Sequence, residues 1–289
     1  MRRLLVFASL FVLAGSASAQ IQVDLSFKRL QYVAYEAVIA TVQVTNLAGR
    51  DIDLQNGGGQ SWFGVEGTGA EGRVGPPLQS QLEGPLHLKA GATVTRKIDL
   101  SPRFSISELG TYHVRANIYF ADLNKFYYSP RKLFQVGDAR AIWQRTVGVP
   151  EGQPDAGQTR TYSLLSNRFP DHTTLYVRVE NKSTGVVYST FPIGRIIISD
   201  EPQIELDRSN QLHILHCAAP RTWAYSRVGL NGQLLAHATF METKTRPHLQ
   251  HAADGAIAVK GGMVEQPAPA SSSKSPKLSD RPDLPPADE

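Results

Sequence analysis

Histidines crowd into one short part of the chain, and their spacing decides what chemistry they can perform. Five of the eight histidines lie within residues 213–251, namely His213, His216, His237, His248 and His251. Two strand residues that bind one metal ion would be two positions apart, because side chains alternate between the two faces. The pairs 213/216 and 248/251 are each three apart, and no Asp or Glu lies at a supporting spacing. We therefore predict no metal site and expect these histidines to be packed inside or exposed at turns.

Other residue types with catalytic potential lack the motifs that would make them active. No Gly-x-Ser-x-Gly motif occurs, so a serine hydrolase is not indicated. The glycine run at 57–59 is followed by neither a helical pattern nor a lysine, which argues against a phosphate loop. Cys217 lies in an apolar run and is interpreted as a small buried hydrophobe rather than a nucleophile. We predict no catalytic residues and no cofactor.

Aromatic residues beside arginines are the better candidates, and they indicate binding rather than catalysis. Arg221, Trp223 and Arg227 lie at or near turns in the C-terminal half, where such side chains are typical contacts with a partner. Trp62 follows a glycine run and, if exposed, could stack on a sugar or hold a partner. The alternative for Trp62 is a core position at the start of a strand.

The two ends of the chain are predicted to lie outside the fold. Arg2 and Arg3 precede an apolar run that ends before Ala17-Ser18-Ala19, so residues 1–19 are predicted to be a signal peptide. We expect an exported protein, periplasmic or extracellular, without a transmembrane anchor. Removal of the signal peptide lowers the formal charge from +4 to +2 and leaves no basic stripe for nucleic acid. Residues 265–289 are rich in Pro and Ser and are predicted to be disordered.

Residues 20–137 carry the pattern of an all-β domain. Val38, Ala40, Val42 and Val44 alternate with polar residues, which predicts a strand with one buried face. Residues 94–100 alternate in the same way, and turn clusters separate about seven or eight such segments. No sustained helical pattern occurs. Short strands at this density are typical of a β-sandwich.

One motif in this domain resembles a known family. The segment 108–116, Glu-Leu-Gly-Thr-Tyr-His-Val-Arg-Ala, resembles the start of strand F in bacterial secreted immunoglobulin-like domains that lack a disulfide. The resemblance implies that the Tyr112 hydroxyl bonds back to the backbone at the preceding corner. It implies an immunoglobulin-like sandwich, and this fold by itself implies no function.

Residues 138–264 contain a repeat. The segment that begins Tyr188-Ser189 matches the one that begins Tyr225-Ser226, at an offset of 37 residues. Strands are predicted at 203–207, 211–217, 222–228 and 233–240, with an Asn231-Gly232 hairpin before the last. Four-stranded meanders that repeat at about 40 residues are similar to sialidase-type β-propeller blades. Only about three such units fit, fewer than a closed ring needs, so either the array is open or several protomers complete a ring.

These observations predict an exported, non-enzymatic binding or scaffold protein of the bacterial envelope. Its partner would be a protein or a glycan, and homo-oligomerisation by ring completion stays open. The alternative is an assembly-dependent, sialidase-like enzyme that processes glycans. That enzyme would need an arginine cluster and a tyrosine nucleophile from several blades. The repeated positions of Tyr188 and Tyr225 favour a structural role for both residues.

Overall fold

A computed structural model describes residues 20–69, 78–79, 84–101 and 106–265. Over these residues the chain is all-β, as the sequence predicts, apart from one short 3-10 helix at Ala121–Leu123. No helix in the described part is long and apolar enough to cross a membrane. The predicted signal peptide at 1–19 and the tail from 266 lie outside the described residues.

The strands run the length of the chain and are short. Their bounds are as follows: β1 Ile21–Phe27, β2 Gln31–Val33, β3 Ile39–Asn46, β4 Ile52–Leu54, β5 Phe63–Thr68, β6 Leu78–Gln79, β7 Leu86–Leu88, β8 Thr93–Asp99, β9 Gly110–Phe120, β10 Lys125–Tyr128, β11 Lys132–Gly137, β12 Arg140–Gly148, β13 Thr159–Arg168, β14 Thr173–Asn181, β15 Val186–Ile196, β16 Gln203–Leu206, β17 Leu212–Ala219, β18 Thr222–Val228, β19 Leu234–Met241, β20 His248–His251, β21 Ile257–Lys260 and β22 Met263–Val264.

The chain forms two compact units. The first comprises residues 20–195 together with the turn Gly229–Gln233, and the second comprises Ile196–Val228 and residues 234–265. The predicted domain borders at 137 and 264 stay predictions.

The first unit begins with two sheets that share one hydrophobic core. One sheet has the order β1-β3-β8, and the other has the order β2-β11-β9-β5-β6, with β10 also paired to β9. Apolar residues from both sheets are buried in the same cluster. The alternation predicted for β3 is confirmed, since Val38, Ala40, Val42 and Val44 are all buried.

A tyrosine hydrogen bond fixes the loop before β9. The Tyr112 hydroxyl donates to the Glu108 carbonyl at 2.9 Å, which confirms the contact that the sequence predicts. The ring of Tyr112 stacks on Phe134 of the neighbouring strand at 5.0 Å between centroids. Together these contacts tie the loop and two strands to the core.

The segment around Ser129-Pro130 separates two strands. Strand β10 before it and strand β11 after it both pair with β9, so Pro130, which has no amide hydrogen to donate, lies at the interruption between these two pairings. The Ser129 hydroxyl accepts a hydrogen bond from the Ala116 amide at 3.0 Å. Among the described strands β10 pairs with β9 alone, whereas β11 lies between β2 and β9.

Two antiparallel meanders follow. The order β12-β13-β14-β15 forms the last sheet of the first unit, and β16-β17-β18-β19-β22 forms the main sheet of the second. The four strands predicted over 203–240 coincide with β16 to β19 within one or two residues at each end. The expected third copy consists only of the hairpin β20-β21.

The strand order contradicts the equivalence of Tyr188 and Tyr225. Tyr188 lies on β15, the fourth strand of its sheet, whereas Tyr225 lies on β18, the third strand of its own. The 37-residue repeat therefore aligns hairpins at different places in the two sheets. Similar hairpin sequences arise because every meander needs the same alternation and turn glycines. The argument that Tyr188 is merely a repeated structural residue no longer holds.

We predict that Gly232→Ala is strongly destabilising. Gly232 has φ +76°, and an added Cβ would lie 1.9 Å from the Ser189 hydroxyl oxygen. We expect a loss on the order of 2 kcal/mol or more, from backbone strain plus overpacking. The matched control is Gly185→Ala, where φ is +72° but no atom lies within 4 Å.

The control isolates the backbone cost, on the order of 1 kcal/mol. Urea unfolding of both variants, and of the double variant with Ser189→Gly, measures the difference. The double variant should recover part of the loss. Equal losses in the two alanine variants would contradict the steric explanation.

Candidate functional site

The structure places Trp62 in the core of the first unit. Its side chain is only 1% exposed, and its ring packs edge-on against Phe63 at 5.6 Å. The indole nitrogen donates to the Gly84 carbonyl at 3.1 Å. This burial agrees with the core alternative for Trp62. The indole ring is not accessible to a sugar or a partner.

Arg221 and Trp223, in the second unit, both donate hydrogen bonds to Glu242. Arg221 is exposed at a turn with φ +60° and donates to the Glu242 carbonyl at 3.2 Å. Trp223 is buried, its indole nitrogen donates to the Glu242 carboxylate at 3.3 Å, and Arg246 covers its ring at 4.4 Å. Arg246 also pairs with Asp200, and this hydrogen bond lowers the pKa of Asp200.

Arg227 shares a strand with Trp223, and their alternation puts them on one face of β18. The cross-strand partner of Arg227 is His213 on β17, whereas that of Trp223 is Cys217. The three predicted residues therefore lie along one strand and its preceding turn. A shallow cleft of about 300 Å³ lies beside Trp223 and Arg246, and Arg227 does not line it.

His213 is the centre of a buried hydrogen-bond chain. One ring nitrogen contacts the Tyr225 hydroxyl at 2.8 Å and the other contacts the Asp207 carboxylate at 3.1 Å. A carboxylate can only accept, so the nitrogen facing Asp207 carries the proton in the neutral ring. Burial lowers the pKa of His213 more than Asp207 raises it. No spacing rule links Asp207 to His213, because Asp207 lies six residues before it, at the turn between β16 and β17.

In the described part of the chain, no three His, Cys, Asp or Glu side chains are grouped so that they could hold a metal ion. Cys217 is buried, and burial raises the pKa of its thiol, which disfavours the thiolate.

The first unit contains a buried ion pair at the junction between its sandwich and its meander. Glu36 is 2% exposed, pairs with Arg29 and accepts the Val33 amide at 3.0 Å. Arg29 also donates to the Tyr176 hydroxyl on β14 at 3.1 Å. Burial raises the pKa of Glu36, opposed by the Val33 amide and by Arg29. An apolar cluster of Val33, Ala139, Leu165 and Tyr176 packs beside the pair.

A groove opens next to this ion pair. It encloses about 950 Å³ and lies between the segment Lys28–Gln31, strand β11, the loop before β14 and the end of β15. Leu30 and Leu133 line it and are 63% and 44% exposed. Large apolar side chains with this exposure inside a concave surface are typical of a binding site.

The rim of the groove is cationic. Lys28, Arg29 and Arg195 line it, together with His172. The His172 ring stacks on Phe169 at 4.9 Å and hydrogen-bonds to Asp171 at 2.7 Å. That bond is the main reason that the pKa of Asp171 is lowered. Asp171 lies only loosely beside Arg195, at 3.9 Å, so the rim keeps a positive excess.

Sequence reasoning did not find this groove. Its residues come from positions 28–31, 133–135 and 169–195, and none of these segments stands out by composition. The one available signal was Leu30, an apolar residue between Arg29 and Gln31 in a turn where no core face was predicted.

Comparison with known proteins gives no family. No protein-family model matches the chain, and no curated protein matches it. Among solved structures, the chain is similar to the sporulation control protein Spo0M from Bacillus subtilis, at 10% identity and a TM-score of 0.29. That match covers 58% of this chain and 83% of Spo0M.

We predict that Arg29→Met destabilises the protein by about 2–3 kcal/mol at pH 8, because it leaves a buried carboxylate unpaired. The value lies below that for a fully buried pair, because about a third of the Arg29 side chain is exposed. Without Arg29 the folded pKa of Glu36 rises further above its unfolded value. Stability is then retained at low pH and lost as pH rises through the folded pKa.

The loss should therefore be smaller at pH 5 than at pH 8, measured by chemical unfolding. Arg195→Met is the control. It removes an exposed rim cation and should change stability by less than about 0.5 kcal/mol at either pH. A pH-independent loss in Arg29→Met would contradict an unpaired Glu36.

We also predict that His213 makes the protein acid-sensitive. Its folded pKa lies below the unfolded value of 6.5, so the unfolded chain binds the proton more readily. Stability is therefore present above pH 6.5 and is lost as pH falls through the folded pKa. The variant His213→Gln should lose less stability than the wild type between pH 7.5 and 5.5. His248→Gln, at an exposed position, should behave like the wild type; parallel curves for all three proteins would refute the prediction.

Proposed function

We propose that this chain is an exported, non-enzymatic binding or scaffold protein of the bacterial envelope, and that the groove beside Arg29 holds its ligand. The observation that supports this most is the pairing of exposed Leu30 and Leu133 with a cationic rim. An exposed leucine in a concavity gains free energy when a ligand covers it, by about 25 cal/mol per Å² of apolar surface buried. The cations favour a ligand that carries a carboxylate.

The occupant that suits both features is a peptide segment with acidic and apolar side chains. Apolar side chains would cover Leu30 and Leu133, and carboxylates would pair with Lys28 and Arg195. Lys28 has no acidic neighbour within ion-pair distance among the described residues, and Asp171 lies 3.9 Å from Arg195. A ligand carboxylate therefore does not have to displace a strong internal pair at either position.

The proposal also includes the assignment of two domain types to the chain. We take residues 20–137 as an immunoglobulin-like sandwich, supported by two sheets on one core and by the Tyr112 hydrogen bond. We take residues 138–264 as blade-like meanders, supported by two successive antiparallel sheets in chain order. In this arrangement the sandwich and the first meander supply the walls of the groove.

The first test uses a defined ligand. The mature chain should bind the peptide Ac-Leu-Glu-Leu-Glu-Leu more tightly than its counterpart with lysines in place of the glutamates. The variant Lys28→Glu/Arg195→Glu should weaken that binding by at least about tenfold, because two attractions become repulsions. Fluorescence anisotropy on labelled peptides measures both. Equal affinity for the two peptides would contradict the proposed chemistry.

The second test uses the native envelope. A photo-crosslinker at Leu133 should form a defined adduct, whereas one at Leu109, which is also exposed but lies outside the groove, should not. The charge-reversed variant should lose the adduct. A glycoside panel addresses the alternative of a glycan-processing enzyme. Hydrolysis by the purified protein, without a groove adduct, would overturn the proposal.

A further inference from the structure

A second cleft of the first unit has a different chemistry. It encloses about 530 Å³, within the range of about 300–1,000 Å³ typical of small-molecule sites. Three aromatic residues line it, Tyr35, Tyr188 and Phe191, together with Asp99, three serines and Thr190. The Ser189 hydroxyl is buried, and the Thr190 hydroxyl accepts from Arg178. None of the described lining residues is a lysine, arginine or histidine.

Tyr35 adopts a backbone conformation that a tyrosine rarely takes. Its φ is +66°, and its side chain is 44% exposed. A bulky residue in this region is strained, and such residues cluster at ligand sites. Backbone hydrogen bonds hold the conformation: the Tyr35 amide donates to the Ile106 carbonyl at 2.8 Å, and the Glu36 amide donates to Val33 at 2.9 Å. The ring is thus presented at the cleft at a cost in stability.

A guanidinium group holds each of the two tyrosine rings. Arg178 lies over the Tyr35 ring at 5.0 Å and donates to the Ala34 carbonyl at 2.8 Å. Arg160 lies over the Tyr188 ring at 4.3 Å, is fully buried, and pairs with Asp155 at 2.7 Å. Cation–π contacts of this kind restrict the rings before any ligand binds. Preorganised aromatic rings bind at a lower entropic cost.

The polar groups of the cleft are acceptors and hydroxyls. Asp99 accepts from the amide of Ser101 at 2.9 Å and from its hydroxyl at 2.6 Å, which fixes the carboxylate. Asp99 is exposed and contributes the charge among the described lining residues. The charge among the described lining residues is thus negative, whereas the described charged residues that line the groove beside Arg29 are cations.

We propose that this cleft binds a neutral saccharide. The ring faces of Tyr35 and Tyr188 would stack on the apolar C–H faces of sugar rings, and the Asp99 carboxylate would accept hydrogen bonds from sugar hydroxyls. A sugar ring presents an apolar face and an edge of hydroxyls, and the cleft offers partners for both. The cleft shares no described lining residue with the groove. The saccharide proposal therefore does not depend on the function proposed above.

The test is titration calorimetry of the mature chain with neutral tetrasaccharides of glucose, xylose, mannose and N-acetylglucosamine. At least one should bind, and Tyr35→Gly and Tyr188→Ala should each weaken it about two- to tenfold. Glycine is the informative replacement at position 35, because it accepts φ +66° without strain. Tyr35→Gly should therefore unfold at the same or a higher urea concentration while binding more weakly.

The matched control is Tyr128→Ala. Tyr128 is 46% exposed and has Arg115 over its ring at 4.1 Å, but it does not line the cleft. The Tyr128→Ala variant should bind the saccharide with wild-type affinity. The Tyr35→Phe variant should keep most of the affinity for the saccharide. Absence of binding to every tetrasaccharide would overturn the proposal, as would equal weakening in Tyr128→Ala. Loss of saccharide binding in Lys28→Glu/Arg195→Glu but not in Tyr35→Gly would place the sugar in the groove and also overturn it.

Discussion

The buried carboxylate of Glu36 is the constraint on which the first unit depends. An ionised side chain inside a protein needs a partner and hydrogen bonds, and Glu36 obtains them from Arg29 and from the Val33 amide. Arg29 in turn reaches Tyr176 on the meander, 147 residues away in sequence. The pair therefore ties the turn after β1 to a strand of another sheet. Apolar residues in place of Arg29 and Glu36 would keep the packing but would lose the hydrogen bond to Tyr176.

The same few residues shape both clefts. The segment Lys28–Gln31 lines the groove, and Tyr35 lines the second cleft. Glu36 follows Tyr35 directly, so the hydrogen bonds that fix Glu36 also fix the left-handed turn at Tyr35. Arg178 repeats the pattern, because it bonds to the Ala34 carbonyl and covers the Tyr35 ring. Strain at Tyr35 persists because these contacts outweigh it.

Local patterns predicted the strands, whereas contacts between distant segments could not be predicted. The alternation of β3 and the hairpin at Asn231-Gly232 depend on neighbouring residues, so both are legible in one sequence. Neither the Arg29–Tyr176 contact nor the groove has such a signal. The sequence allows Trp62 to be either a surface contact or a core residue and predicts Trp223 as a partner contact, and both side chains are buried. Tryptophan type alone does not distinguish a core anchor from a binding residue, since burial favours both uses.

The 37-residue repeat aligns strands that are not equivalent in the two sheets, and this changes the role assigned to Tyr188. Aligning Tyr188 with Tyr225 by sequence made both look structural, because a residue that recurs in each repeat usually serves the fold. In the structure Tyr225 hydrogen-bonds to buried His213, whereas Tyr188 lines a cleft with Arg160 beneath its ring. The two residues have the same type and a similar local sequence but different neighbours. A repeat found in sequence identifies hairpins that need the same turns, and only the strand order shows which positions are equivalent. Tyr188 is therefore free to serve a ligand, and the fold of β15 does not require its ring to be buried.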